Sequence, residues 1–69
     1  MEIEGKTVEK GQTVWCMVET PSTRSWKKGV VTAVFEHAHQ AAVKVDYAVT
    51  QKTRKHRWFS AEAITFKSQ

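Results

Sequence analysis

Cysteine, proline and glycine are all scarce in this chain. Its single cysteine, Cys16, has no second thiol to pair with, and no Cys-x-x-Cys or Cys/His finger spacing exists, so the usual staples of small secreted and zinc-bound domains are missing. One proline and three glycines exclude a collagen-like or low-complexity chain. No apolar run approaches the roughly 18 residues of a membrane span, and the opening Met1-Glu2-Ile3-Glu4 lacks the basic-then-apolar order of a signal peptide. A soluble, cytoplasmic protein with no membrane partner is the expectation.

What is present is enough for one small core. In 69 residues, 41% are apolar and 26% charged, a balance that favours a compact fold over disorder. A chain this short buries only about 60% of its unfolded surface, so one domain over residues 1–69 is expected. Its N-terminal arm would span residues 1–10 and its tail residues 67–69.

The net charge of +4 hides an asymmetry. Residues 1–19 carry four glutamates against Lys6 and Lys10, whereas the remainder carries nine Lys and Arg against Glu36, Asp46 and Glu62. All the excess positive charge therefore lies beyond residue 19. Its densest run is Lys52-Thr53-Arg54-Lys55-His56-Arg57, with Lys27, Lys28 and Arg24 forming a second group. Lys and Arg interleaved with aromatics are the electrostatic footprint of a nucleic-acid binder, because each neutralised phosphate releases counterions. A solvated basic face that keeps a small protein soluble has the same composition.

Periodicity along the chain reads as strands. Val14, Cys16 and Val18 alternate with Trp15 and Met17 between Thr13 and Val18, and the polar segment 19–25, with the only proline, reads as a loop. The stretch from Trp26 to Phe35 is rich in β-branched residues, and residues 36–40 connect it to Ala41–Tyr47. There Val43, Val45 and Tyr47 face one way and Lys44 and Asp46 the other. A turn over 48–52, a fourth strand from Thr53 to Phe59, one helical turn at Ala61-Glu62-Ala63 with Ser60 as its N-cap, and a closing strand Ile64–Phe66 complete the reading. Five strands with one late helical turn describe a small all-β, SH3-like barrel, which hides most of its edges.

The segments Gly11-Gln-Thr-Val-Trp15, Trp26-Lys-Lys-Gly29, Ala42-Val-Lys-Val-Asp46 and Trp58-Phe-Ser-Ala61 carry a family likeness. In this order they resemble the C-terminal SH3-like domain of retroviral and retrotransposon integrases, over about residues 11–66. The resemblance implies the barrel and DNA binding without strong sequence preference. The outline is also similar to small SH3-like subunits of photosynthetic electron transport, which dock acidic redox proteins. Tudor and KOW modules share the barrel, but no aromatic cage is identifiable from sequence. The plasmid-borne SH3-like dihydrofolate reductase depends on a Val-Gln-Ile-Tyr motif that is absent here.

Weighed singly, Trp26 beside Arg24, Lys27 and Lys28 is a candidate contact residue, since base stacking on an aromatic contributes about 1–3 kcal/mol. Trp15 is either a stacking residue on the outer face or, as the preferred expectation, a cover for one open end of the barrel, and the resemblance implies that Trp58 lies in the core. Alternation along the fourth strand puts Arg54, His56 and Trp58 on one side and Lys55, Arg57 and Phe59 on the other. The candidate nucleic-acid-binding set is Arg24, Trp26, Lys27, Lys28, Lys52, Arg54, Lys55 and Arg57, expected to form a continuous cationic patch. His37 and His39, even with His56 or Cys16, make a poor metal site, because zinc needs three or four fixed ligands. No nucleophile and base can be paired, and Cys16 reads as a core thiol. The expectation is a non-enzymatic protein without cofactor or metal that binds nucleic acid, DNA rather than RNA, mainly through phosphates. The alternative is an adaptor whose basic face docks an acidic protein, such as a redox protein or a polymerase subunit.

Overall fold

The computed structural model describes residues 1–38 and 40–69. Its seven strands are β1 (Glu2–Ile3), β2 (Lys6–Thr7), β3 (Thr13–Glu19), β4 (Arg24–His37), β5 (Gln40–Ala48), β6 (Arg54–Ser60) and β7 (Ile64–Thr65), with a 3-10 turn, η1, at Ala61–Ala63. β3 to β7 form one antiparallel sheet in the order β6-β5-β4-β3-β7, and β1 and β2 form a separate hairpin. β6 and β7 are the two edges of the large sheet, and η1 carries the chain from one to the other. No helix of the described residues is long and apolar enough to cross a membrane.

Strand register assigns the faces. Cys16 pairs with Lys27, Gly29 with Tyr47, Val31 with Val45, Val43 with Phe59 and Val45 with Arg57. Because directly opposed residues share a face, Val14, Cys16, Val31, Val43, Val45, Tyr47 and Phe59 form a single apolar surface, and all are buried. Ile64 of β7 and Ile3 and Val8 of the N-terminal segment complete it. Each valine withdrawn from water contributes about 1.5–3 kcal/mol. Tyr47 and Phe59 meet edge to face, their ring centroids 5.9 Å apart.

Two backbone features shape this surface. Between Val31 and Ala33 the β4–β5 register shifts, a bulge at Thr32 that bends the 14-residue β4. The Thr32 hydroxyl donates to the Lys44 carbonyl at 3.3 Å across the irregularity. Near the other end, Gly29 leaves room for its neighbours. A Cβ there would sit 2.5 Å from Val45 Cγ1 and 2.7 Å from the Asp46 carbonyl oxygen.

Residues 1–10 are more than an arm. β1 and β2 join through Glu4 and Gly5, both at positive φ, the two-residue primed turn that matches the twist of a hairpin. The Glu4 carboxylate accepts hydrogen bonds from the Thr65 hydroxyl at 2.9 Å and the Phe66 amide at 2.7 Å, tying the first hairpin to the last strand. Lys6 lies 5.4 Å from the Phe66 ring centroid, within cation–π range.

Three further expectations need correction. Trp58 is 52% exposed rather than core, because Phe59 takes the inward position on edge strand β6 and alternation turns Trp58 outward, opposite Lys44. Ser60 does not cap η1 with its side chain; it is extended, and η1 closes on the Ile64 amide donating to the Ala61 carbonyl. Residues 36–40 are mostly strand, since β4 continues to His37 and β5 begins at Gln40.

These contacts generate two predictions. Gly29→Ala overpacks the β4–β5 crossing and lowers stability by about 1–3 kcal/mol in chemical denaturation; an unchanged midpoint contradicts the close approach. The hydrogen bonds from Phe66 and Thr65 hold the Glu4 carboxyl below its ordinary value of 4.5. Its stabilisation is therefore present above pH 4.5 and disappears as pH falls through the lower folded-state value. Glu4→Gln accordingly melts at a lower temperature than the parent at neutral pH, and the gap narrows in acid. A gap independent of pH contradicts the clamp.

Candidate anion-binding cleft

The β3–β4 hairpin turns at residues 20–23 and the β5–β6 hairpin at residues 49–53. In the first turn the Thr20 amide donates to the Thr23 carbonyl at 2.8 Å and the Thr23 amide to the Thr20 hydroxyl at 3.0 Å, while the two hydroxyls lie 2.7 Å apart. In the second the Val49 amide donates to the Thr53 carbonyl at 2.8 Å, and Thr50 Oγ1 accepts from the Lys52 and Thr53 amides. Both turns thus use a threonine side chain in place of a further strand partner. The expected loop over residues 19–25 is shorter than its composition suggests, because Glu19 belongs to β3 and Arg24 and Ser25 to β4.

Between the two hairpins lies a cleft of about 270 Å³, lined by Val18, Thr20, Thr23, Ser25, Lys27, Tyr47, Val49, Lys55 and Arg57. Lys27, Lys55 and Arg57 belong to the same sheet face as the core, since they oppose Cys16, Tyr47 and Val45. The apolar core face is thus flanked by cations at its Cys16–Tyr47 side. The Arg57 guanidinium stands 5.9 Å from the Phe59 ring centroid, held against the sheet while its charge reaches the cleft.

No acidic side chain lines the cleft among the described residues, and none of its three cations takes part in an ion pair there. Nearby carboxylates are engaged elsewhere. Glu19 pairs with Arg24 at 3.2 Å and Asp46 with Arg54 Nε at 2.9 Å. Arg54 also reaches the Asp46 carbonyl at 3.3 Å.

The eight candidate residues therefore do not form one continuous patch. Lys27, Lys55 and Arg57 converge in the cleft, and exposed Lys52 lies in the adjoining turn. Lys28 and Arg54 point from the opposite face of the sheet, where Trp15, Val30, Asp46, His56 and Trp58 also lie. Trp15 is half-buried there. Arg24 and Trp26 line a different cleft with Met17 and Glu19. Strand alternation forces this division, because neighbours such as Lys27 and Lys28 cannot share a face. The hydroxyls of Thr20, Thr23 and Ser25 were missing from the expected set, and their only sequence signal is the polar composition of the turn.

Cys16 is buried beneath this region, and its thiol donates to the Lys27 carbonyl at 3.4 Å. Burial pushes the thiol up from 9.0 to about 11, opposed by a backbone hydrogen bond and by the Arg57 charge. The suggested His-x-His pair includes His39, which lies outside the described residues; no metal-holding group of three or more His, Cys, Asp or Glu exists among the described ones. Comparison with protein-family models, curated proteins and solved structures finds no match, so the cleft is interpreted from its geometry.

The thiol gives a direct probe of this packing. At pH 9.0, the ordinary midpoint of a free thiol, iodoacetamide leaves Cys16 unmodified in the folded protein and alkylates it once denaturant unfolds the chain. Rapid alkylation of the folded form contradicts the buried, protonated thiol.

Proposed function

We propose that this chain binds nucleic acid, duplex DNA in preference to RNA, through backbone phosphates seated between its two hairpins. The observation that carries the reading is the convergence of Lys27, Lys55 and Arg57 in a cleft with the hydroxyls of Thr20, Thr23 and Ser25 and no lining carboxylate. Cations and hydroxyls are the side chains that meet phosphate oxygens in protein–DNA contacts. The cleft lacks Asn and Gln, the usual bidentate partners of adenine, in keeping with weak sequence preference.

An SH3-like barrel is the fold that goes with this reading. The order β6-β5-β4-β3-β7, with η1 linking the two edge strands, is the arrangement expected of a five-strand sheet curled on itself. The segments resembling integrase C-terminal domains fall on β3, β4, β5 and the β6–η1 junction, and that likeness supports DNA as the nucleic acid. No catalytic role is assigned to any residue.

A salt titration with random-sequence duplex DNA tests the proposal. Three phosphate contacts give a slope of about −3 in log affinity against log salt, and each of Lys27→Gln, Lys55→Gln and Arg57→Gln removes about one unit. Arg54→Gln, on the opposite face and tied to Asp46, changes the slope less. Binding that is absent at micromolar protein or insensitive to salt overturns the proposal. Equal competition by polyglutamate at matched charge overturns it too, and assigns the cleft to an acidic protein.

A further inference from the structure

The β3–β4 hairpin has a second face, and it borders a second cleft of opposite character. Met17, Glu19, Arg24 and Trp26 form one wall; Ser60, Glu62 and Ala63, where β6 passes into η1, form the other. The volume is about 230 Å³, below the roughly 300–1,000 Å³ of pockets for drug-sized ligands. A single long side chain suits it better than a cofactor.

Its chemistry selects the kind of side chain. Met17 and Trp26 are directly opposed across the hairpin and half-buried, and with Ala63 they supply the apolar surface. Arg24 is already neutralised by Glu19, which leaves Glu62 as the uncompensated charge: it belongs to no ion pair among the described residues. An apolar stem ending in a cation satisfies all these groups, with the stem against Met17 and Ala63, the cation near Glu62, and the indole face of Trp26 adding cation–π attraction.

We infer that this cleft is a docking site for a partner protein's basic segment, taking one lysine or arginine side chain between Trp26 and Glu62. The argument is charge complementarity at a built cleft, and it does not depend on what fills the cationic cleft. A polyanion on one side of the hairpin and a basic segment on the other make the chain a bridge between the two.

NMR titration of the isotopically labelled full chain tests the site, with N-acetyl-lysine methylamide and N-acetyl-arginine methylamide as probes and N-acetyl-norleucine methylamide as the uncharged control. Shifts are expected at the Trp26 indole N–H and at Met17, Glu62 and Ala63. Exposed Glu62 is replaceable without loss of packing, and Glu62→Gln, its folding checked by the dispersion of the same spectrum, weakens the cationic probes about two- to fivefold. Duplex DNA binding by that variant stays unchanged. Shifts elsewhere only, equal binding of the norleucine control, or full affinity in Glu62→Gln overturns the inference.

Discussion

A β-strand has two faces and no third, and that constraint organises this molecule. The core of a 69-residue chain needs one sheet face kept apolar over β3, β4, β5 and β6, and Val14, Val31, Val43, Val45, Tyr47 and Phe59 supply it. The same face also carries Lys27, Lys55 and Arg57, directly across from Cys16, Tyr47 and Val45. Core and cationic cleft are thus parts of one surface. The packing that stabilises the sheet also fixes where the three charges point, and Gly29 leaves room there for Val45 and Tyr47.

The charge of the chain is sorted by the same rule. Arg24 and Arg54 lie off the cleft, each against a carboxylate, while the cleft cations have none. Exposed ion pairs contribute little stability, about 0–1 kcal/mol each. Alternation places Glu19 and Asp46 on the face opposite Lys27, and each is paired there with an arginine. The basic residues of β6 have a second effect, because an edge strand with Arg54, Lys55 and Arg57 along it repels pairing with another such edge.

Much of the sheet was legible in the sequence. Val43, Val45 and Tyr47 announce the inner face of β5 by simple alternation, and strands form where β-branched runs predict them. The N-terminal hairpin was not legible: two-residue strands are too short for periodicity, and Glu4-Gly5 lacks the Asn-Gly or Asp-Gly signature of its turn. Trp58 departs from the core position that the family resemblance implies, because alternation sets it beside Arg54 and His56 on the outer face. The cleft needed one thing a linear reading lacks. Alternation divides β4 and β6 into two sets each, but only the register of β5 against both decides that Lys27 shares a face with Lys55 and Arg57 rather than with Arg54. The acidic cleft was hidden for a related reason, since Glu62 and Trp26 are far apart in the chain and line one cleft only in the folded sheet.

The proposed functions meet at the hairpin formed by β3 and β4, with a cationic cleft on one side and an acidic, aromatic one on the other. The most direct measurement is an NMR map of the labelled chain titrated with a short random-sequence duplex. The account predicts that amide and side-chain shifts concentrate at Thr20, Thr23, Ser25, Lys27, Lys55 and Arg57, with Lys28, Arg54 and Trp58 on the reverse face left nearly still. Shifts centred on that reverse face, with the cleft residues unmoved, would contradict it.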